Sequence, residues 1–203
     1  MIGKIKDGFY KACSFASNLS GYLLNDPTTP DLSSVISMPK KGILNFSVKD
    51  MSENPQNSVQ KRATNCHIVI GNCINNLQLQ AKSPVKTWAS TSNLQVLPAA
   101  GQEMNAYYDR RSLRFFYYPY MGKNVYFSDS ADIVTHELGH AFLDAIRPDF
   151  WSVQSLEIWS FHEAFSDIVA MFNLMCYDKA VALALAQTAG DLKRSNVISK
   201  LAE

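Results

Sequence analysis

Residues 130–148 of the chain read SADIVTHELGHAFLDAIRP, and this stretch predicts the helix around which the fold is built. Its apolar residues recur three and four positions apart, which places them on one buried face of a helix. The candidate N-caps at its start are Ser128, Asp129 and Ser130. Pro148 predicts where the helix ends, because proline inside a helix removes a hydrogen bond and clashes with the preceding turn.

The same stretch contains two histidines four positions apart, His136 and His140. On a helix these side chains lie one above the other on a single face, so both imidazoles can contact one cation. Glu137 is one position from His136 and therefore projects beside such a cation rather than onto it. This H-E-x-x-H pattern is typical of sites in which the histidines bind zinc and the glutamate acts as a general base.

A second segment offers the third protein ligand that a catalytic zinc ion normally takes. The sequence predicts a helix from roughly Ser155 to Met175, in which Glu163 and Asp167 share one face. With Glu163 as the ligand, Asp167 can accept a hydrogen bond from the free ring nitrogen of a ligating histidine. His162 is the alternative ligand, but it lies about 100° round the helix from Glu163, so only one of the two can face the cation.

Three segments resemble the thermolysin-like zinc metallopeptidases, the branch of the zincins that has a glutamate ligand. Residues 136–141, HELGHA, are similar to the active-site helix of that family, and residues 163–168, EAFSDI, to the segment that carries its glutamate ligand. Residues 105–108, NAYY, resemble the edge strand that holds the substrate backbone. The resemblance extends over residues 94–175 and hardly touches the part of the chain before them.

The resemblance implies a zinc-dependent metallopeptidase that hydrolyses peptide bonds through a zinc-activated water. His136, His140 and Glu163 would be the zinc ligands, and Glu137 would be the general base. Asp167 would be the hydrogen-bonded partner of His136. The implied cofactor is therefore Zn2+, and the implied partner is a peptide or protein substrate.

Asn105 and Ala106 would bind an extended peptide by strand addition, in which main-chain hydrogen bonds give the affinity. The alternative for these two residues is an ordinary hairpin edge. We favour the substrate strand because the segment lies between two strand-like runs just before the zinc helix. Three aromatic side chains are predicted to surround the site and exclude water from it: Phe142, Phe161 and Phe165.

The chain departs from the family pattern in the groups that stabilise the transition state. The family has a tyrosine between the zinc helix and the glutamate ligand, but residues 141–162 contain no tyrosine. It also has a histidine well after that ligand, whereas no histidine follows His162. We therefore expect that the catalytic core is truncated at its C-terminus and lacks the family's C-terminal helical lobe. The alternative function is a non-catalytic zinc-binding module or an inactive fragment of a longer peptidase.

Composition and net charge indicate which other classes of protein the sequence fits. Apolar residues make up 47% of the chain and charged residues 18%, which is ordinary for a globular protein. The net charge of +1 gives no electrostatic basis for binding nucleic acid. No run approaches the roughly 18 apolar residues that a membrane helix needs, so no membrane span is predicted.

The N-terminus has a poor signal-peptide core, which favours a cytoplasmic location, although known relatives in the family it resembles are often secreted. None of the four cysteines forms a Cys-x-x-Cys pair. Free thiols are the favoured interpretation, and a Cys66–Cys73 disulfide is the alternative for an exported protein.

The order of the predicted elements, strands first and helices later, favours an α+β fold. It would be zincin-like, with a small, mostly antiparallel sheet followed by the active-site helix and further helices. We expect residues 1–92 to hold an N-terminal amphipathic helix and a poorly determined strand and loop region, and residues 93–203 to form the zincin catalytic core. Within the first part, the β-branched residues of Asn65–Leu79 slightly favour a strand.

Overall fold

The computed structural model describes residues 44–52, 54–81 and 84–200, together with three strands at 9–11, 20–24 and 33–37. The strands are β1 (Phe9–Lys11), β2 (Ser20–Leu24), β3 (Ser33–Ser37), β4 (Phe46–Lys49), β5 (Leu94–Leu97), β6 (Ala106–Tyr108), β7 (Ser112–Phe115), β8 (Tyr117–Tyr120) and β9 (Lys123–Tyr126). The α-helices are α1 (Ser58–Gln80), α2 (Ala131–Ile146), α3 (Leu156–Met175) and α4 (Asp178–Thr188).

Five strands of the described part of the chain form one mixed sheet, in the order β1-β4-β5-β7-β6. Strands β4, β5 and β7 run parallel, while β1 and β6 pair antiparallel at the two ends. The remaining pairs, β2–β3 and β8–β9, are antiparallel. The predicted α+β class is confirmed, but the centre of the main sheet is parallel, where a mostly antiparallel sheet was expected.

Helix α1 replaces the strand that was predicted within Asn65–Leu79. Parallel strands need a crossover connection of a dozen or more residues, usually a helix, and α1 is the connection between β4 and β5. Its N-cap is Asn57, whose side chain accepts a hydrogen bond from the backbone of Gln60. Ile68 and Ile70 are fully buried in the core, so tertiary packing overrides their β-branched preference.

The predicted N-terminal helix is wrong at Phe9–Lys11, which is the strand β1, and Ser20–Leu24, just beyond that helix, is the strand β2. Backbone pairing with β4 and β3 supplies the hydrogen bonds of these segments. The rest of that predicted helix lies outside the described residues. Residue 92 was the predicted end of the first region of the chain. Strand β4 lies before it and β5 after it, and the two strands pair in the main sheet.

Elements with strong local signals lie where the sequence predicted them. Strand β5 ends before Pro98, and β6 and β7 form the predicted hairpin across residues 109–111. Helix α3 begins after its N-cap Ser155, whose side chain accepts a hydrogen bond from the backbone of Ile158. Helix α2 ends at Ile146, before Pro148 begins a short 3-10 helix.

The close approach of α2 and α3 at Gly139 brings the candidate ligands together. A Cβ atom at Gly139 would lie 2.7 Å from the Cα of Ser166, closer than side-chain carbons come to backbone atoms. On its sheet side α2 buries Val134 and Leu138 completely in the core. Glycine is required here because any larger residue would push the two helices apart.

Within the described residues, no single helix is long and apolar enough to cross a membrane. Helices α3 and α4 reach that length and composition only as a pair, and they meet at a bend of 97°.

Candidate metal centre and its cleft

Side chains from α2 and α3 form a compact group of metal-ligating atoms. The imidazole rings of His136 and His140 lie side by side on α2, with centroids 4.9 Å apart. Glu163 of α3 reaches both, with Oε2 3.2 Å from His136 Nε2 and Oε1 3.7 Å from His140 Nε2. Ligand atoms of the three residues all lie within 4.8 Å of one another. They form the one such metal-ligating group within the described residues.

Asp167 orients the imidazole ring of His136. Its Oδ1 lies 2.8 Å from His136 Nδ1, the distance of a short hydrogen bond. A proton on Nδ1 leaves a lone pair on Nε2, which faces the Glu163 carboxylate. Two acceptors 3.2 Å apart repel each other unless a positive charge lies between them, so this geometry suits a cation.

The spacing of the donor atoms fits a small tetrahedral cation. Zinc bonds of about 2.1 Å in a tetrahedron place neighbouring ligand atoms roughly 3.4 Å apart. The distances of 3.2 and 3.7 Å from Glu163 to the two histidines lie on either side of that value. Burial, reinforced by the charges of His136 and His162, lowers the pKa of His140 to about 3. His140 is therefore neutral at pH 7, with a lone pair available to a metal.

His162, the alternative ligand, does not join this group. It is buried, and its ring centroid is 5.7 Å from that of His140. Its Nε2 has no hydrogen-bond partner within the described residues. Of the two competing residues on α3, the geometry brings Glu163 to the histidines of α2.

Glu137 lies beside the ligand group in a largely buried position, with 7% of its surface exposed. Burial is the main cause that raises the pKa of Glu137 to about 7, and the charge of Glu163 acts in the same direction. The charge of His136 and the backbone N–H of Tyr108 oppose this rise. A carboxyl group with a pKa near 7 can both accept and release a proton at neutral pH, as acid–base catalysis requires.

A cavity of about 480 Å3 opens in front of these groups. Its walls are the ligand group, strand β6 and the segment between α2 and α3, which contributes Phe150, Trp151 and Val153. The aromatic residues predicted to surround the site lie elsewhere. Phe142 packs against Trp88 in the core, and Phe161 is 49% exposed on α3.

Strand β6 runs along one wall of the cavity. Ala106, predicted to bind substrate, lines the cavity together with Tyr107 and Tyr108. Asn105, predicted with it, precedes the strand, and its side chain donates a hydrogen bond to Glu103 at the surface. In the described part of the sheet, β6 is an end strand that pairs with β7 on one side.

A buried polar cluster beside the cavity is absent from the sequence predictions. The carboxylate of Asp144 accepts hydrogen bonds from the Tyr108 hydroxyl and from the Arg110 guanidinium. Asp144 lies one helical turn after His140, so the signal that could have found it is a carboxylate four positions beyond a ligating histidine.

Comparison with known proteins yields no match to this chain among family models, curated proteins or solved structures. The evidence for the candidate site is therefore the arrangement of its residues.

Proposed function

We propose that the protein is a zinc-dependent metallopeptidase. The observation that carries the proposal is the convergence of His136, His140 and Glu163, with Asp167 bonded to the far nitrogen of His136 and Glu137 beside the group. The resemblance of these segments to the thermolysin-like family supports the same assignment.

The donor set favours zinc over the commoner hard cations. Two imidazole nitrogens and one carboxylate suit zinc, whereas magnesium and calcium prefer sites made of oxygen ligands. Three protein ligands leave one coordination position for water or substrate, as in catalytic zinc sites. When bound, zinc would act as a Lewis acid that polarises the scissile carbonyl and makes water more acidic.

The protein's own residues would perform the proton transfers and position the substrate. Glu137 would take a proton from the attacking water and later give it to the leaving amine nitrogen. Asp167 would hold His136 in the tautomer that offers Nε2 to the metal. The free edge of β6 would align an extended peptide across the cavity.

A second candidate function is a zinc-binding module without catalysis. The observation in its favour is the lack of a tyrosine in residues 141–162 and of a histidine after His162. Loss of one donor to the developing oxyanion costs roughly 100- to 1000-fold in rate. The two functions predict the same zinc content and different turnover.

The deciding experiment measures cleavage of quenched-fluorescence peptides by the zinc-loaded protein. We expect turnover that a zinc chelator abolishes and added zinc restores. Glu137→Gln should keep its zinc and lose roughly 100- to 10,000-fold in kcat, the range for removal of a general base. Glu157→Gln, at an exposed position of α3, is the matched control and should retain full activity. Cleavage that persists in Glu137→Gln contradicts the proposed role, and a zinc-loaded wild type without turnover favours the module.

A further inference from the structure

We propose that Tyr108 and Arg110 act through Asp144 as positioning residues, which hold the substrate-binding strand β6 in register against the active-site helix α2. We call these three residues the Asp144 cluster. The inference rests on the proposed peptidase function, because β6 must be the strand along which the peptide lies. None of the three is assigned to the metal group or to the proton transfers.

Asp144 is a fully buried carboxylate on α2 whose partners come from the β6–β7 hairpin. Its Oδ2 accepts a hydrogen bond of 2.9 Å from the Tyr108 hydroxyl and one of 3.1 Å from Arg110 Nε. Its Oδ1 accepts a third, of 3.0 Å, from Arg110 Nη2. A buried carboxylate is tolerated only when it is paired and hydrogen-bonded, so the position of α2 depends on the hairpin, and that of the hairpin on α2.

Tyr108 links β6 to α2 through its side chain. Its hydroxyl donates a hydrogen bond to Asp144, and Tyr108 lines the same cavity as Glu137 of α2. Glu137 and Asp144 are seven positions apart, which is about two turns or roughly 10 Å along the helix axis, on one face. The hydrogen bond to Asp144 therefore holds the end of β6 against α2 about two turns beyond Glu137.

The Asp144 cluster also reaches the wall of the cavity. Arg110 has a left-handed backbone conformation, with φ of 71°, which turns the chain immediately after β6. Its guanidinium carbon lies 5.4 Å from the centre of the Trp151 ring, and Trp151 packs edge-on against Tyr108 at 5.6 Å. The cluster thus joins both sides of the cavity, β6 and the segment after α2, to one buried carboxylate.

This arrangement matters for catalysis because a bound peptide would take its position from the β6 backbone. A displacement of about 1 Å at a reacting centre can cost roughly 100-fold in rate. If the Asp144 cluster only stabilised the fold, its disruption would lower activity on long and short substrates equally. A cluster that positions β6 affects most strongly the substrates that are long enough to lie along it.

The test is Tyr108→Phe, which removes one hydroxyl and keeps the ring that packs against Trp151. Tyr118→Phe, at a half-exposed position of the β8–β9 hairpin, is the matched control. We expect unchanged zinc content and a roughly 10-fold lower kcat/KM on a hexapeptide, with a much smaller loss on a blocked dipeptide amide. An equal loss on both substrates, or no loss, would overturn the inference.

Amide hydrogen exchange tests the same inference without turnover. Tyr108→Phe, and Arg110→Lys, which cannot form the two-pronged bond to Asp144, should speed exchange in residues 106–108 and leave α1 unchanged. Unchanged exchange in β6 would overturn the positioning role. A wild type that binds zinc and cleaves neither peptide would overturn the peptidase proposal. Even then, faster exchange of β6 in the two variants would support the inference that the Asp144 cluster holds β6 in place.

Discussion

Nδ1 of His136 lies 2.8 Å from Oδ1 of Asp167, although the two residues belong to different helices and are 31 positions apart. The carboxylate orients the imidazole and fixes its tautomer, which strengthens a bond from Nε2 to a metal. We expect Asp167→Asn to lower zinc affinity roughly 10- to 100-fold. Competition with a chromophoric chelator measures this, with the exposed Asp178→Asn as the control. Equal affinity in both variants would contradict the role of Asp167.

Gly139→Ala should destabilise the protein even though alanine is the better helix former. The new methyl group would lie 2.7 Å from the Cα of Ser166, so α3 must move. Overpacking of this kind costs about 1–3 kcal/mol and outweighs the roughly 1 kcal/mol gained in helix propensity. Thermal unfolding should show a lower Tm, and zinc affinity should fall because Glu163 moves with α3.

Gly101→Ala is the control for that substitution. A Cβ at Gly101 would lie 3.6 Å from the Phe116 ring, an ordinary contact distance. We expect its Tm to change little. If Gly139→Ala were as stable as Gly101→Ala, the contact between α2 and α3 would have space for a methyl group, and the prediction would be wrong.

Stability should fall in acid because His67 is buried as a neutral base. Burial lowers the pKa of His67 from 6.5 to about 3, so between these values the unfolded chain binds more protons. This contribution to stability is complete above pH 6.5 and declines as the pH falls, by at most about 1.4 kcal/mol per pH unit.

Urea unfolding of the wild type and of His67→Gln, from pH 8 to pH 4, measures that decline. The variant should show a shallower loss of unfolding free energy below pH 6.5. Burial also lowers the pKa of His140 to about 3. His140 therefore contributes to the pH dependence of the unfolding free energy in both proteins, so some decline should remain in the variant. Parallel curves would mean that protonation of His67 does not contribute.

Cys66 and Cys73 should be unreactive thiols in the folded protein. Both are buried on α1, and burial raises their pKa well above the ordinary thiol range, which suppresses the reactive thiolate. They lie seven positions apart on the helix, roughly 10 Å along its axis, too far for a disulfide. A thiol reagent added to a Cys13→Ser variant should label Cys176 quickly and the other two only after unfolding. Fast labelling of three thiols would contradict this.

The residues of the metal group were predictable because their geometry is helical. Spacing of four along a helix places His140 above His136 and Asp167 beside Glu163, and the caps and stop signals located both helices. That the two helices touch is a tertiary contact, which the lack of a side chain at Gly139 allows. Helix α1 was missed because its β-branched residues are helical only in the context of a crossover between β4 and β5.

The cavity walls and the Asp144 cluster could not be found in this way. Trp151 and Arg110 lie in segments whose path depends on what they pack against. The aromatic residues expected around the site lie near the ligands in sequence, but Phe142 faces the core. Local periodicity identifies which residues share a helix face, but it carries no information about what a loop brings opposite them.

All three candidate ligands lie on two helices that touch at Gly139 and Ser166, whereas part of the cavity wall comes from outside them, from β6 and from Phe150, Trp151 and Val153. Part of the surface that would contact a substrate is thus encoded outside the two helices that carry the ligands. Insertions or substitutions in the connecting segment could redesign recognition while the ligand geometry is inherited unchanged from the helix pair.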